Sequence, residues 1–364
     1  MKKPKLPKLK PKIPKRVKNA IPRRAKAPDV RLSEALQGVP RITNETVAEH
    51  REAVLGGARK YIYPLQHSKH HVVRISISIL IAALVGFFVV CGILLYNFQS
   101  TSGFMYGVTQ VVPFPVAKAG PSWVSYESYL FELRRNMHYY QTQQQADFTT
   151  KEGKPQLQRL KQQAMAQVIQ NAYVKQLAAA NHVSVSDQAV DAQVALVRSQ
   201  NRLGNSKHVF NDVLNEFWGW NEADFKRELK QQMLQQAVVA KLDIATNARA
   251  LAAQKQLIGG ADFAAVAAQS SDDVTTKGSG GQYPGAITPN DANYAPAITA
   301  ELFKLSPGQI SGIINSGYTL DILKVIDGNS TSLHAAHIQL SFLPISVYVK
   351  PLQTKHSAHT YIKF

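Results

Sequence analysis

The candidate catalytic or metal-binding side chains of this sequence are histidines and aspartates in its last third. Two of them, His356 and His359, stand close together near the end of the printed sequence. A metal site needs three or four ligands, however, and no carboxylate or thiolate lies near this pair in the sequence. The single cysteine, Cys91, lies in a long apolar run, so it provides no disulfide or thiolate site to the rest of the chain. We therefore expect no metal site and no cofactor.

The other candidates lie where helix and strand patterns alternate. Asp262 begins a short predicted helix that ends just before Asp273, and residues 274–289 are rich in glycine and proline, which indicates a loop. The segments predicted after that loop are a helix, Ala297–Leu305, and two strands, Ile310–Ile314 and Tyr318–Val325. The sequence therefore predicts an α+β domain over residues 245–327.

This region resembles the parvulin-type peptidyl-prolyl isomerases. The family pattern is G-x-D-F-x-x-x-A-x-x-x-S-x-D, then a glycine-pair turn, then F-x-L-x-x-G-x-I-S and a final strand. The matching residues are Gly260, Asp262, Phe263, Ala267, Ser271, Asp273, Gly280, Gly281, Phe303, Leu305, Gly308, Ile310 and Ser311. The resemblance implies a parvulin-like fold and an isomerase that acts on X–Pro bonds.

The resemblance also implies which residues form the site. Parvulins use two sheet histidines, a cysteine or aspartate, and a Leu/Met/Phe pocket for the proline ring. Asp273 fits the Cys/Asp position. The pocket residues implied by position are Tyr283, Tyr294, Ile298 and Phe303. The histidine of the last strand is replaced by Asp321, or by Thr319 if the alignment shifts, so the pocket is apolar but altered.

The first parvulin strand, of the type A-x-H-I-L, is missing before this domain. A similar motif, HAAHIQL at His334–Leu340, follows it after a Gly328–Asn329 turn. Our hypothesis is a circularly permuted domain, in which Leu320–Ile326 turns back as a hairpin and brings His337 near Asp273. The alternative is an appended hairpin in which His337 is an ordinary strand residue.

A helical region over residues 122–244 precedes this domain. Apolar residues recur at three- and four-residue steps from Trp123 onward, Ser186 is a predicted N-cap, and Asn221 begins the last long helix. The runs VSVSD at Val183–Asp187 and WGWNEADFKREL at Trp218–Leu229 resemble the N-terminal chaperone domain of SurA-like foldases. That resemblance implies binding of unfolded polypeptides.

The uncharged run Ile75–Tyr96 has 22 residues, enough for a helix of roughly 33 Å across a hydrocarbon core of about 30 Å. Residues 1–74 hold 19 Lys/Arg and residues 75–117 hold none, which predicts a cytoplasmic N-terminus and an extracytoplasmic body. The net charge is +18 for the chain and +14 for residues 1–74, so we expect membrane lipids rather than nucleic acid as partners.

The expected organisation has six parts. They are a largely disordered basic tail (1–73, with a short helix near 45–59), a transmembrane helix (74–97), a linker (98–121), the helical domain (122–244), the parvulin-like domain (245–327) and C-terminal strands (328–364). The function expected is a membrane-anchored isomerase and chaperone for exported proteins with X–Pro bonds. The alternative is a holding chaperone that uses the parvulin fold to bind peptides with little or no catalysis.

Overall fold

The computed structural model describes residues 42–62, 65–200 and 206–364. The chain divides into two compact units, residues 1–83 and 84–364. The described part of the first unit is helix α1, Asn44–Ile62, and the beginning of helix α2, Leu65–Tyr96. Residues 1–41 of the expected basic tail lie outside the described residues. The short helix expected near residues 45–59 is present as α1. The expectation of disorder is wrong for the start of α2, where no proline follows Pro64 until Pro113.

Helix α2 contains the predicted transmembrane span but starts earlier, at Leu65. Among the described residues it is the one helix long and apolar enough to cross a membrane, over His71–Tyr96. Most of its side chains are exposed, but Cys91 and Leu95 near its end are 1% and 0% exposed. Both pack into the first core of the second unit.

The predicted linker, residues 98–121, is wrong, because the chain folds there instead of forming a spacer. It contains helix α3, Gly103–Val111, and strand β1, Pro115–Ala119. Val116, Ala117 and Ala119 are fully buried. The prediction that helix begins at Ser122 is also wrong: Ser122–Ser125 is strand β2, which pairs antiparallel with β1 and leaves Trp123 exposed.

Five helices follow: α4 (Tyr126–Gln143), α5 (Gly153–Ala180), α6 (Asp187–Gln200), α7 (Lys207–Trp218) and α8 (Glu222–Leu242). Helices α4, α5 and α8 contribute buried residues to the first core, whereas α6 and α7 pack in a separate apolar cluster around Phe131 and Trp220. Both predicted caps are confirmed. Ser186 Oγ accepts a hydrogen bond from the Ala189 backbone, and Asn221 and Asp224 form a reciprocal capping box.

A second core follows Asp243, which ends α8 and caps helix α9, Ile244–Ile258. Next come α10 (Phe263–Ser270), a 3₁₀ turn (Lys277–Ser279), α11 (Pro296–Leu302), β3 (Ile310–Asn315), β4 (Thr319–Gly328) and β5 (Leu333–Ser341). The two predicted strands are present as β3 and β4. Helix α11 ends at Leu302 rather than at Leu305, and Phe303 is its C-cap.

The expectation of strands alone after residue 328 is wrong in part. After β5 the chain forms helix α12, Ile345–Lys355, and strand β6, Ala358–Thr360. Strand β6 pairs with β1, giving a sheet of order β2-β1-β6, while β5 joins the sheet of order β3-β4-β5. Val349 and Ile362 are buried in the first core. The end of the described chain therefore completes the helical region, not the parvulin-like one.

Candidate functional site

The β4–β5 hairpin positions His337. Its strands pair antiparallel with Leu323 opposite His337. Gly328 has φ +130°, and a Cβ there would lie 2.4 Å from the Leu333 Cα, so the turn needs glycine. The Asn329 side-chain oxygen accepts hydrogen bonds from Thr331 and Ser332 and closes the loop. The sequence thus builds this turn locally.

The loop before α11 is held against the other edge of β5. The backbone N–H of His337 donates to the Gly281 carbonyl at 2.8 Å, and the Tyr283 N–H donates to Ala335 at 3.0 Å. Gly281 has φ +79°, and a Cβ there would lie 2.2 Å from the His337 carbonyl oxygen. This close approach explains the glycine and brings Tyr283 over the imidazole.

Asp273, just after α10, meets His337 directly. Its Oδ2 lies 3.0 Å from His337 Nε2 and accepts a hydrogen bond from the Thr276 hydroxyl at 2.5 Å. Thr276 Oγ1 is also 3.0 Å from Nε2. Because this hydroxyl donates to Asp273, it accepts from the imidazole, which places a proton on Nε2. His337 is 5% exposed, so this polar triangle is shielded from water.

Asp321, on β4, lies on the other side of the same ring. Its Oδ1 is 3.6 Å from His337 Nδ1, too far for a hydrogen bond. Its Oδ2 accepts hydrogen bonds from Ser316 at 2.8 Å and from Thr319 at 2.6 Å. The two alternatives for the missing histidine, Asp321 and Thr319, therefore belong to one hydrogen-bonded group.

Opposing effects act on the Asp273 carboxyl. Burial raises its pKa, but hydrogen bonds from Thr276, from the Thr275 backbone and from His337 together lower it to about 2. Asp273 is therefore ionised at neutral pH. A fixed carboxylate beside an imidazole N–H makes a polar, preorganised floor for the site.

The four predicted pocket residues come together beside this floor. Tyr283 stacks on His337 with 4.3 Å between ring centroids and contacts Tyr294 edge-on at 4.8 Å. Ile298 is buried in the adjoining apolar cluster, and Tyr283, Tyr294 and Phe303 pack against that cluster. Burial, together with the charge of Asp321, raises the pKa of Tyr283, so its hydroxyl stays neutral.

Two site residues were missed in the sequence, Thr276 and Ser316. A usable signal existed for Thr276: Asp273 is followed by two threonines, and the Thr275 N–H donates to Asp273 Oδ1 as in an Asx turn. Ser316 had no such signal, because only the β3–β4 turn places it. Among the described residues, no group of three or more His, Cys, Asp or Glu side chains is arranged to hold a metal ion.

Two family models match this chain. Residues 65–239 match the SurA-like N-terminal domain, and residues 233–327 match the PPIC-type PPIASE domain. No curated protein matches the chain. The PPIASE match ends before β5, so it contains Asp273 and Asp321 but not His337. The chain thus carries a SurA-like N-terminal domain followed by a PpiC-type rotamase domain, which supports peptidyl-prolyl cis–trans isomerase activity and binding of polypeptide substrates.

Proposed function

We propose that this protein is a membrane-anchored peptidyl-prolyl isomerase and chaperone that acts on exported polypeptides outside the cytoplasm. The contact between Asp273 and His337 is the observation that carries this proposal. It joins a residue inside the PPIASE match to one supplied by β5, beyond the match. This favours the permuted reading, in which β5 replaces the missing first strand.

The reaction breaks no bond, so the site has to stabilise a twisted amide. The X–Pro bond must lose its conjugation while crossing a barrier of about 18–20 kcal/mol. In our proposal Tyr283, Tyr294, Ile298 and Phe303 hold the proline ring. An apolar pocket favours the twisted amide, because that form has lost much of the polarity that water solvates well in the planar form.

Asp273, His337 and Asp321 are proposed to provide the polar floor. The Nε2 proton is held by Asp273 and Thr276, and Asp321 faces Nδ1. The Asp273 carboxylate and the Thr276 hydroxyl fix the imidazole through Nε2, so that no reorganisation is needed when the amide dipole changes. In this role His337 acts as an oriented dipole and not as a nucleophile.

A groove next to this site supports client holding. It has a volume of about 640 Å³ and lies between α6 and α8 on one side and α11 and the β3–β4 turn on the other. Among the described residues that line it, none is charged. Apolar side chains such as Leu229 and Met233 alternate with amides such as Gln193 and Gln236, which suits an uncharged extended polypeptide. Ser316 lines the groove and bonds to Asp321, so a held chain would pass close to the site.

The proposed location follows from helix α2 and the charge asymmetry around it. The helix is apolar over His71–Tyr96, and basic residues are concentrated before it. By the positive-inside rule, residues after Tyr96 then lie outside the cytoplasm. The basic N-terminal run would contact anionic lipid headgroups on the inner side.

NMR exchange on a short X–Pro peptide, with the full chain in lipid nanodiscs, tests the isomerase. We expect cis–trans exchange to speed up in proportion to protein concentration. Tyr294→Ala should weaken this effect, whereas Tyr139→Ala, on the half-exposed surface of α4, should leave it unchanged. No acceleration by the wild-type chain would contradict the proposal.

A holding chaperone without efficient catalysis is the second candidate. It is favoured by the stacking of Tyr283 over an imidazole that is only 5% exposed. If this cover persists with substrate, peptides bind without turnover. Suppression of client aggregation by a chain that does not accelerate X–Pro exchange would select this alternative.

A further inference from the structure

We propose that the segment after helix α2 forms a second membrane contact, in which Phe98, Phe104 and Val111 insert into the lipid interface of the bilayer that α2 crosses. We call these three residues the juxtamembrane patch. The inference rests on the proposed membrane anchor and goes beyond it. It states that the body is seated on the bilayer rather than suspended above it.

The first observation is exposure. Phe98, Phe104 and Val111 are 71%, 68% and 83% exposed, so three large apolar side chains that follow α2 within 15 residues all face outward. Phe104 and Val111 are seven residues apart on α3, so they lie on one stripe of the helix. The opposite side of α3 is anchored, because Met105 and Thr109 are buried. Helix α3 is thus a short amphipathic helix whose apolar outer stripe has no protein partner among the described residues.

The second observation is the absence of charge. No Lys, Arg, Asp or Glu occurs from Ile75 to Ala117, so the uncharged stretch continues well beyond the end of α2. A segment selected only for exposure to water has little reason to lack charge over this distance. An interfacial helix that follows a membrane span has such a reason, because charged side chains are costly to place in the apolar part of the interface.

The third observation is that the body is attached closely to the helix end. The Tyr126 hydroxyl donates to the Leu95 carbonyl, and the Tyr96 hydroxyl donates to the Pro115 carbonyl, each at 2.6 Å. Gln99, at φ +48°, accepts a hydrogen bond from Lys161 at 2.8 Å and donates to the Lys363 carbonyl at 2.6 Å. These bonds keep the patch near the membrane end of the body.

Spin-label depth measurements on the full chain in lipid nanodiscs test the proposal. Cys91→Ser gives a cysteine-free background, and single labels are placed at Phe104→Cys and Val111→Cys. Val85→Cys, within α2, reports the anchor, and Ile258→Cys, 80% exposed at the end of α9, is the aqueous control. Circular dichroism melting of each labelled chain checks that it folds.

We expect labels at 104 and 111 to collide several-fold more often with oxygen than with a water-soluble nickel chelate, relative to the label at 258. If both behave like the control while the label at 85 reads as buried in hydrocarbon, the patch proposal is wrong and the anchor stands. If the label at 85 also behaves like the control, α2 is not in the bilayer, and the anchor and the patch proposal are both wrong.

Discussion

The two three-stranded sheets in the described part of the chain are similar in size but assembled in different ways. In the sheet β3-β4-β5 the strands follow one another along the chain and are joined by short turns. In the sheet β2-β1-β6 the third strand comes from residues 358–360 and pairs with residues 117–119. The first sheet carries the candidate site, and the second closes the core of the helical region.

The strands of the first sheet pair with neighbours in the sequence, whereas β1 and β6 pair across a long sequence separation. Local hairpins set the register around His337 through a turn with its own glycine and asparagine. The β1–β6 pairing has no local determinant and is held by burial, as shown by Ile362, which is 2% exposed. The comparison therefore predicts that substitutions in the sheet β3-β4-β5 should lower isomerase activity. Substitutions in the sheet β2-β1-β6 should lower stability alone.

A matched pair of core substitutions, one beside each sheet, should give the largest effects and tests whether the two sheets are functionally separate. Ile338→Ala, next to His337, and Ile362→Ala each remove a side chain at most 2% exposed, so each should cost about 3 kcal/mol of unfolding free energy. Urea denaturation measures this cost. Isomerase activity at low temperature, where both variants are folded, should fall only for Ile338→Ala. Equal loss of activity in both variants would mean that the sheets are not functionally separate.

Asp273→Asn should produce a pH-dependent loss of stability. The pKa of Asp273 is lowered to about 2 in the folded chain, so its stabilising effect is complete above the unfolded value near 4 and is lost as the pH falls toward 2. The substitution should cost about 2 kcal/mol at pH 7 and much less at pH 2.5. Denaturation at the two pH values measures the difference, and an equal cost at both would contradict the proposed hydrogen-bonded carboxylate.

Tyr283 should show how far the stacked ring contributes to substrate binding. Tyr283→Phe keeps the ring over His337, so activity should stay within about twofold. Tyr283→Ala removes it and should raise KM by roughly tenfold, the effect of about 1.4 kcal/mol. If Tyr283→Ala instead raises kcat with KM unchanged, the ring covers the site and does not bind proline.

The helical region contains a carboxyl group whose pKa is raised, in contrast to the lowered pKa of Asp273. Burial raises the pKa of Glu132 to about 7, partly offset by Arg135 and reinforced by Glu228. Because the folded pKa lies above the unfolded one, stability falls as the pH rises through this range. Glu132→Gln should therefore stabilise the chain by about 1 kcal/mol at pH 8 and have little effect at pH 5. Destabilisation at pH 8 would show that the contact with Arg135 dominates.

Structure formed by neighbouring segments could be predicted from the sequence, whereas pairings between segments far apart in the sequence could not. The Gly328–Asn329 turn and the HAAHIQL strand were sufficient to predict the hairpin that places His337 3.0 Å from Asp273. The strand β1 was misread as a linker, because a five-residue strand between glycines and prolines has too short an alternation to be distinguished from a turn-rich segment. Its partner β6 has only three residues and lies about 240 positions away, so no local signal joined them.

The central claim is that β5 completes an isomerase site, and two histidines of that strand allow a direct test. His337 is 5% exposed and contacts Asp273, whereas His334 is exposed and pairs with Asp327 away from the site. Measured by NMR exchange on an X–Pro peptide, His337→Ala should lower kcat/KM by about 100-fold, and His334→Ala should leave it within about twofold. Full activity in His337→Ala, or equal losses in both variants, would contradict the account.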